Sequence, residues 1–302
     1  MKEVMLDNGV TLAYDTHGNP QHRVVFVILG ITDNITDWPE GLYQPLVDAG
    51  LHVVRFELRD SGHSTKFDQF GVPDLGAAIA TVGRGEVPDA GYTARDVAED
   101  ARLLMAHLKI DDACLVGYSY GAFVAQILAL NAPERVSRLV CLQGTNYNPE
   151  LPPRTAAVNA AMIGATVEYD DDDERIAAMM ALRKATNGSI HALDDDEALD
   201  SATTSVARMY YPRGTGRIVL SRMACPPMYE DTARIKCPVL VLHADEDPIF
   251  SIEHGQDMAQ RMPNAKLEVL QGAGHNHPLS LQPLIANRIA EFASEVLAIQ
   301  SS

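Results

Sequence analysis

Short apolar runs alternate with longer helical patterns along most of this chain, and no other feature restricts its fold as strongly. Val24–Leu29, His52–Phe56, Ala113–Val116, Val136–Leu142, Val239–His243 and Lys266–Leu270 each read as a strand. Helical patterns are expected between and after them, near Leu42–Ala49, Ala94–Leu108, Ala122–Asn131, Glu253–Met262 and Leu284–Ile299. Parallel neighbours must be joined by crossovers, so the alternation implies βαβ units: a mostly parallel twisted sheet with helices on both faces. A hairpin precedes them, with Glu3–Leu6 and Val10–Tyr14 flanking Asp7-Asn8-Gly9. Thr93, with Asp96 three residues on, is placed to cap the helix from Ala94.

The rhythm stops between about Asn146 and Pro227. No convincing strand is present there, only alanine- and methionine-rich helical runs at Thr155–Thr166, Glu174–Thr186 and Glu197–Tyr210. Strands resume at Val239, so the segment reads as an insertion: residues 1–145 and 228–302 form the core, and 146–227 a helical cap. The acidic runs Asp170–Glu174 and Asp194–Glu197 fall where helices begin and complement a helix dipole. Neither carries an EF-hand pattern or a paired histidine, so no metal is expected.

Chemistry gathers at the strand ends. Gly117-Tyr118-Ser119-Tyr120-Gly121 is a G-x-S-x-G between an apolar strand and a helix, and such a sharp turn holds a serine hydroxyl out above a sheet. By itself the motif is weak, and its meaning depends on whether an acid and a histidine lie further along the chain. The strand Val239–His243 runs into Asp245, Glu246 and Asp247, of which Asp247 is favoured because Pro248 fixes the loop just after it. The last strand is followed by Gly272-Ala273-Gly274-His275-Asn276-His277. His275 takes the tight turn, and His277 is expected to pack beside it. Serine, acid and histidine in this order, at three strand ends, define a nucleophile, a base and the group that orients the base. An earlier strand end, Leu29-Gly30-Ile31, is placed to supply the Ile31 N–H, which with the Tyr120 N–H would form an oxyanion hole.

At this point the chain resembles the α/β-hydrolase superfamily over almost its whole length. The hairpin, the turn Gly117–Gly121, Asp247-Pro248, Gly274-His275 and Arg59-Asp60-Ser61-Gly62-His63-Ser64 all match its pattern. Gly50 through Thr65 is similar to the branch containing aclacinomycin methylesterases. Departures lie close to the serine. Leu29 stands where a histidine is common, Tyr118 and Tyr120 flank Ser119 where histidine and methionine are common, and Asp60 replaces a glycine. The resemblance implies a Ser119–Asp247–His275 triad cleaving a carboxylic ester, such as a methyl ester or lactone of a small apolar or polyketide-like molecule, with no cofactor. Tyr118, Met162 and Met209 are expected against the substrate. Carbon–carbon bond hydrolysis and cofactor-free perhydrolysis use the same residues and stay open, as does a non-catalytic binding protein on this fold.

Composition narrows the partners. A net charge of −17 argues against nucleic acid and against an anionic membrane surface. The first residues lack the apolar core of a secretory signal, and the run Val24–Leu29 is too short to span a bilayer. The four cysteines show no C-x-x-C spacing and read as small buried hydrophobes in a reducing cytoplasm. A homodimer is compatible with the sequence.

Overall fold

The computed structural model describes residues 1–295. Eight strands form one sheet: β1 (Lys2–Met5), β2 (Thr11–His17), β3 (Val24–Ile28), β4 (His52–Phe56), β5 (Ala113–Tyr118), β6 (Val136–Leu142), β7 (Val239–Ala244) and β8 (Ala265–Leu270). Their spatial order is β1-β2-β4-β3-β5-β6-β7-β8. Strands β1 and β2 pair antiparallel with each other, and β2 with β4, while every pairing from β4 to β8 is parallel.

Strands β3, β5 and β7 are apolar almost without interruption because both of their faces are covered. Alternate residues feed two separate cores. Phe26, Ile28, Leu115, Cys141 and Val241 pack under α3 (Ala94–His107), α4 (Tyr120–Asn131) and α9 (Ile252–Arg261), through Leu104, Phe123 and Met258. Val25, Val27, Val116, Val140 and Leu242 pack under α1 (Glu40–Asp48) and α10 (Gln282–Ser294), through Leu42, Leu46, Ile285 and Ile289. The part of the last expected helix that runs on to Ile299 lies outside the described residues. The predicted cap on α3 is formed, with Asp96 Oδ2 accepting from the Thr93 N–H at 2.7 Å.

Between β6 and β7 come α5 (Ala156–Gly164), α6 (Asp172–Ala185), α7 (Asp195–Met209) and α8 (Pro212–Met223). Met179, Leu182, Ala202 and Val206 give the first three a small core of their own. The acidic runs occupy the first turns of α6 and α7, where Asp171 and Asp194 cap the chain ends. Two helices went unread in the sequence, α2 (Leu75–Gly83) and α8. Pro212, Gly214 and Gly216 look like breakers, but Pro212 occupies the first turn, where a missing N–H costs nothing. A Cβ on Gly214 would meet the Asp60 carbonyl oxygen and one on Gly216 the Pro73 ring, so close packing accounts for both glycines. That contact is clamped by charge. Arg217 donates two hydrogen bonds to Asp60, at 2.7 and 2.9 Å, and the Tyr92 hydroxyl donates a third at 2.8 Å, all buried.

Candidate active site

The strand order reverses between β3 and β5, and in such sheets the carboxyl ends of the strands open a crevice at that point. Ser119 stands at the end of β5, with φ 54° and ψ −119°, a conformation that costs a non-glycine residue about 1–3 kcal/mol. The fold holds it there. Its N–H donates to the Leu142 carbonyl of β6 at 3.0 Å, and α4 begins at the next residue. A Cβ on Gly121 would strike the carbonyl of Ile28, so only glycine lets α4 approach β3 this closely.

The three acids after β7 take three different partners. Asp245 Oδ1 accepts from the Gly272 N–H at 2.7 Å, and Glu246 accepts from Ser189. Asp247 Oδ2 lies 2.6 Å from His275 Nδ1, while its Oδ1 accepts from the N–H groups of Ile249 and Phe250 at 2.8 and 3.0 Å. Burial alone would push this carboxyl up. The His275 imidazole and the Phe250 N–H outweigh burial and hold it below the usual carboxylate range. His275 is therefore oriented through Nδ1 by a buried anion, which leaves Nε2 for other work. No hydrogen bond joins Nε2 to the Ser119 hydroxyl among the described residues.

The histidine is also fixed from outside the sheet. Its N–H donates at 2.7 Å to the carbonyl of Thr186, just past α6, and Asn276 Nδ2 donates to the Arg183 carbonyl. His277 packs against the site, its Nε2 2.9 Å from Gln143 Oε1; burial and the neighbouring His275 push it down to about 3, so its ring is neutral.

The two tyrosines that flank Ser119 point away from open space. The Tyr118 ring is buried against the rings of His275 and His277, and its hydroxyl donates to the His275 carbonyl at 2.6 Å. The Tyr120 side chain is fully buried, with its hydroxyl 3.0 Å from that of Ser221 in α8, so only its backbone faces the site. Ile31 and Thr32 border a cavity between the β3 loop and the inserted helices, together with Met179 and Met209. Met162 packs with Val158, Ile249 and Phe250, beside the Asp247 loop.

One residue of the site was not singled out in the sequence. Asp33 Oδ2 accepts from the Gly30 N–H at 2.8 Å and so fixes the loop that carries Ile31, the support that Leu29 cannot give. The same oxygen crowds Gly30 Cα on the side where Ser119 Cβ approaches. An acid following a strand end was the available signal. Burial, then the negative charge of Asp37, raises the Asp33 carboxyl from 3.8 to about 7, with the Gly30 N–H, Arg183 and His275 opposing. Because the folded value lies above the unfolded one, Asp33's contribution to stability is complete below about pH 4 and is lost as the pH rises toward about 7. Asp33→Asn keeps an oxygen for the Gly30 N–H and never ionises. Thermal melts between pH 4 and 8 should show a smaller fall in Tm across that window for the variant, and parallel curves would count against the assignment.

The family profile of the alpha/beta hydrolases matches residues 17–286. The chain is 25% identical over 299 residues to a rhodomycin D methylesterase of Streptomyces sp. strain C5, covering 92% of this chain and 93% of the relative. It is 26% identical over 215 residues to a pimeloyl-[acyl-carrier protein] methyl ester esterase of Vibrio campbellii, covering 69% and 82%. Among solved structures, an esterase from Rhodococcus sp. ECU1013 superposes with a TM-score of 0.75 at 19% identity, covering 97% of this chain and 98% of that one. The enol-lactonase of Burkholderia xenovorans LB400 superposes with a TM-score of 0.72 at 18% identity, covering 97% and 100%. With the sheet order, the strand-to-helix serine and the profile match in agreement, the chain belongs to the alpha/beta hydrolase family.

Proposed function

We propose that this protein is a serine hydrolase that cleaves a carboxylic ester through an acyl-enzyme. The observation that carries the reading is the 2.6 Å contact of Asp247 with His275 on the crevice that the strained Ser119 also borders. His275 Nε2 takes the Ser119 proton as Oγ attacks the ester carbonyl, and Asp247 stabilises the imidazolium that forms. The N–H groups of Tyr120 and Ile31 stabilise the oxyanion. The imidazolium then protonates the leaving alkoxide, and the neutral ring activates the water that releases the acid. No step needs a metal or cofactor.

The four helices between β6 and β7 form the cap over this site, with Met209 and Met162 as adaptable apolar lining. Tyr118 acts under the base rather than on the substrate, because its hydroxyl is already committed to the His275 carbonyl. A methyl ester or lactone with an apolar body is the class of substrate favoured, in keeping with the methylesterases among the relatives.

Covalent labelling tests the chemistry independently of substrate. A fluorophosphonate should add to the intact protein once, and peptide mass spectrometry should place the adduct on Ser119. A panel of p-nitrophenyl and methyl esters should then show turnover that the label abolishes. No adduct, or an adduct at another residue, would sink the reading.

A further inference from the structure

Buried and half-buried arginines in this chain are generally matched to carboxylates. Arg55 meets Asp15, Arg59 meets Asp100, Arg183 meets Asp37, Arg208 meets Glu57 and Arg217 meets Asp60. Two arginines of the segment between β6 and β7, the half-buried Arg222 and the exposed Arg154, lack such a partner among the described residues. Arg222, at the end of α8, lies with its guanidinium carbon 3.6 Å from the centre of the Tyr147 ring, and its buried Nε has no hydrogen-bond partner among the described residues. Arg154, just before α5, reaches the same cluster from the exposed side, with Nη1 3.0 Å from Met162 Sδ. Neither forms an ion pair among the described residues. Burial, with the positive charge of Arg222 adding to it, pulls the Arg154 guanidinium below its usual range.

Two like charges brought together without a counter-ion repel each other, and in a chain of net charge −17 carboxylates for pairing are not scarce. The planar, forked donors of arginine fit a carboxylate. Tyr147 adds a hydroxyl donor, since burial raises its phenol and keeps it protonated. Its backbone is held at φ 57°, and its ring stands edge-on to Phe123 and Phe250, at 4.9 and 5.9 Å. Phe250 in turn stands edge-on to the His275 ring at 5.9 Å. The arginine cluster is thus separated from the base by one aromatic residue beyond Tyr147, a spacing that suits the far end of a substrate whose ester lies at Ser119.

We propose that Arg154, Arg222 and Tyr147 form a subsite for a carboxylate carried by the ester that Ser119 attacks. The proposal deepens the serine-hydrolase reading and rests on it. The substrate is then a half-ester: an apolar spacer with the scissile ester at one end and a free carboxylate at the other.

The test compares p-nitrophenyl hydrogen adipate with the neutral p-nitrophenyl hexanoate. The wild-type protein should favour the anionic ester by tenfold or more in kcat/KM. In Arg222→Gln and Arg154→Gln that preference should fall at least tenfold, mainly through KM, with Arg222→Lys retaining part of it. Arg84→Gln makes the same charge change at an exposed arginine and should leave the ratio alone. No preference in the wild type, or equal losses on both esters in the variants, would overturn the subsite. A second measurement needs no turnover: adipate should raise the Tm of the wild-type protein and not that of the double variant. If neither ester is cleaved while adipate still stabilises selectively, the subsite stands and the hydrolase reading fails. If both esters are cleaved alike and adipate does not stabilise, the reverse holds.

Discussion

Ser119→Ala should lower kcat for any ester this protein hydrolyses by roughly 10⁶-fold, leaving only what the oxyanion donors and binding contribute. The argument rests on position as well as on residue type. Ser119 occupies a backbone conformation unfavourable to a side chain, and Leu142, Gly121 and the start of α4 hold it there. Alanine retains that conformation and its cost, whereas glycine relieves it. Ser119→Gly should therefore be as inactive as Ser119→Ala yet unfold at a higher temperature, by about 1 kcal/mol in stability. Steady-state assays and thermal melts on the pair separate the chemical role from the structural one. A Ser119→Ala protein that kept a tenth of the activity would end the assignment.

Asp247→Asn should cost about 10⁴-fold in kcat while leaving the fold intact. The amide oxygen can still accept from the Ile249 and Phe250 N–H groups, so the turn after β7 survives. What changes is the face toward His275. An NH₂ group opposite Nδ1 favours the tautomer that places the proton on Nε2, where it cannot accept one from Ser119, and the buried anion that stabilises the imidazolium is gone. KM should change far less than kcat. Asp245→Asn is the control, because that carboxylate holds the Gly272 N–H and not the imidazole, and its effect on kcat should be smaller by orders of magnitude. Comparable losses in the two variants would mean that Asp247 merely supports its loop.

How much of this could be read from the residues depends on the range over which each signal acts. Ser119, Asp247 and His275 were legible because each sits in a short motif at the end of an apolar strand, and parallel topology brings such ends to one edge. The choice among Asp245, Glu246 and Asp247 turned on Pro248, again a local signal. Asp33 gave only the weak signal of an acid after a strand, and its bond to Gly30 depends on the bend of the loop. Helix α8 was hidden because Gly214 and Gly216 answer to distant neighbours, the Asp60 carbonyl and Pro73. Nor could the orientation of Tyr120 be read: a residue beside the nucleophile can face the cleft or the core, and here Ser221, about a hundred residues away, receives its hydroxyl. The arginine cluster at Tyr147 joins the loop after β6 to the distant end of α8 and has no local signature at all.

The bond from the His275 N–H to the Thr186 carbonyl has a consequence for timing. If the inserted helices swing to admit substrate, the end of α6 moves, and it is tied both to the backbone of the proposed base and, through Arg183, to Asp37 on the loop that carries Ile31. Access and reactivity would then not be independent settings. In an open state the imidazole and the oxyanion loop would lose anchors together, so a water molecule arriving before the ester would find an idle machine.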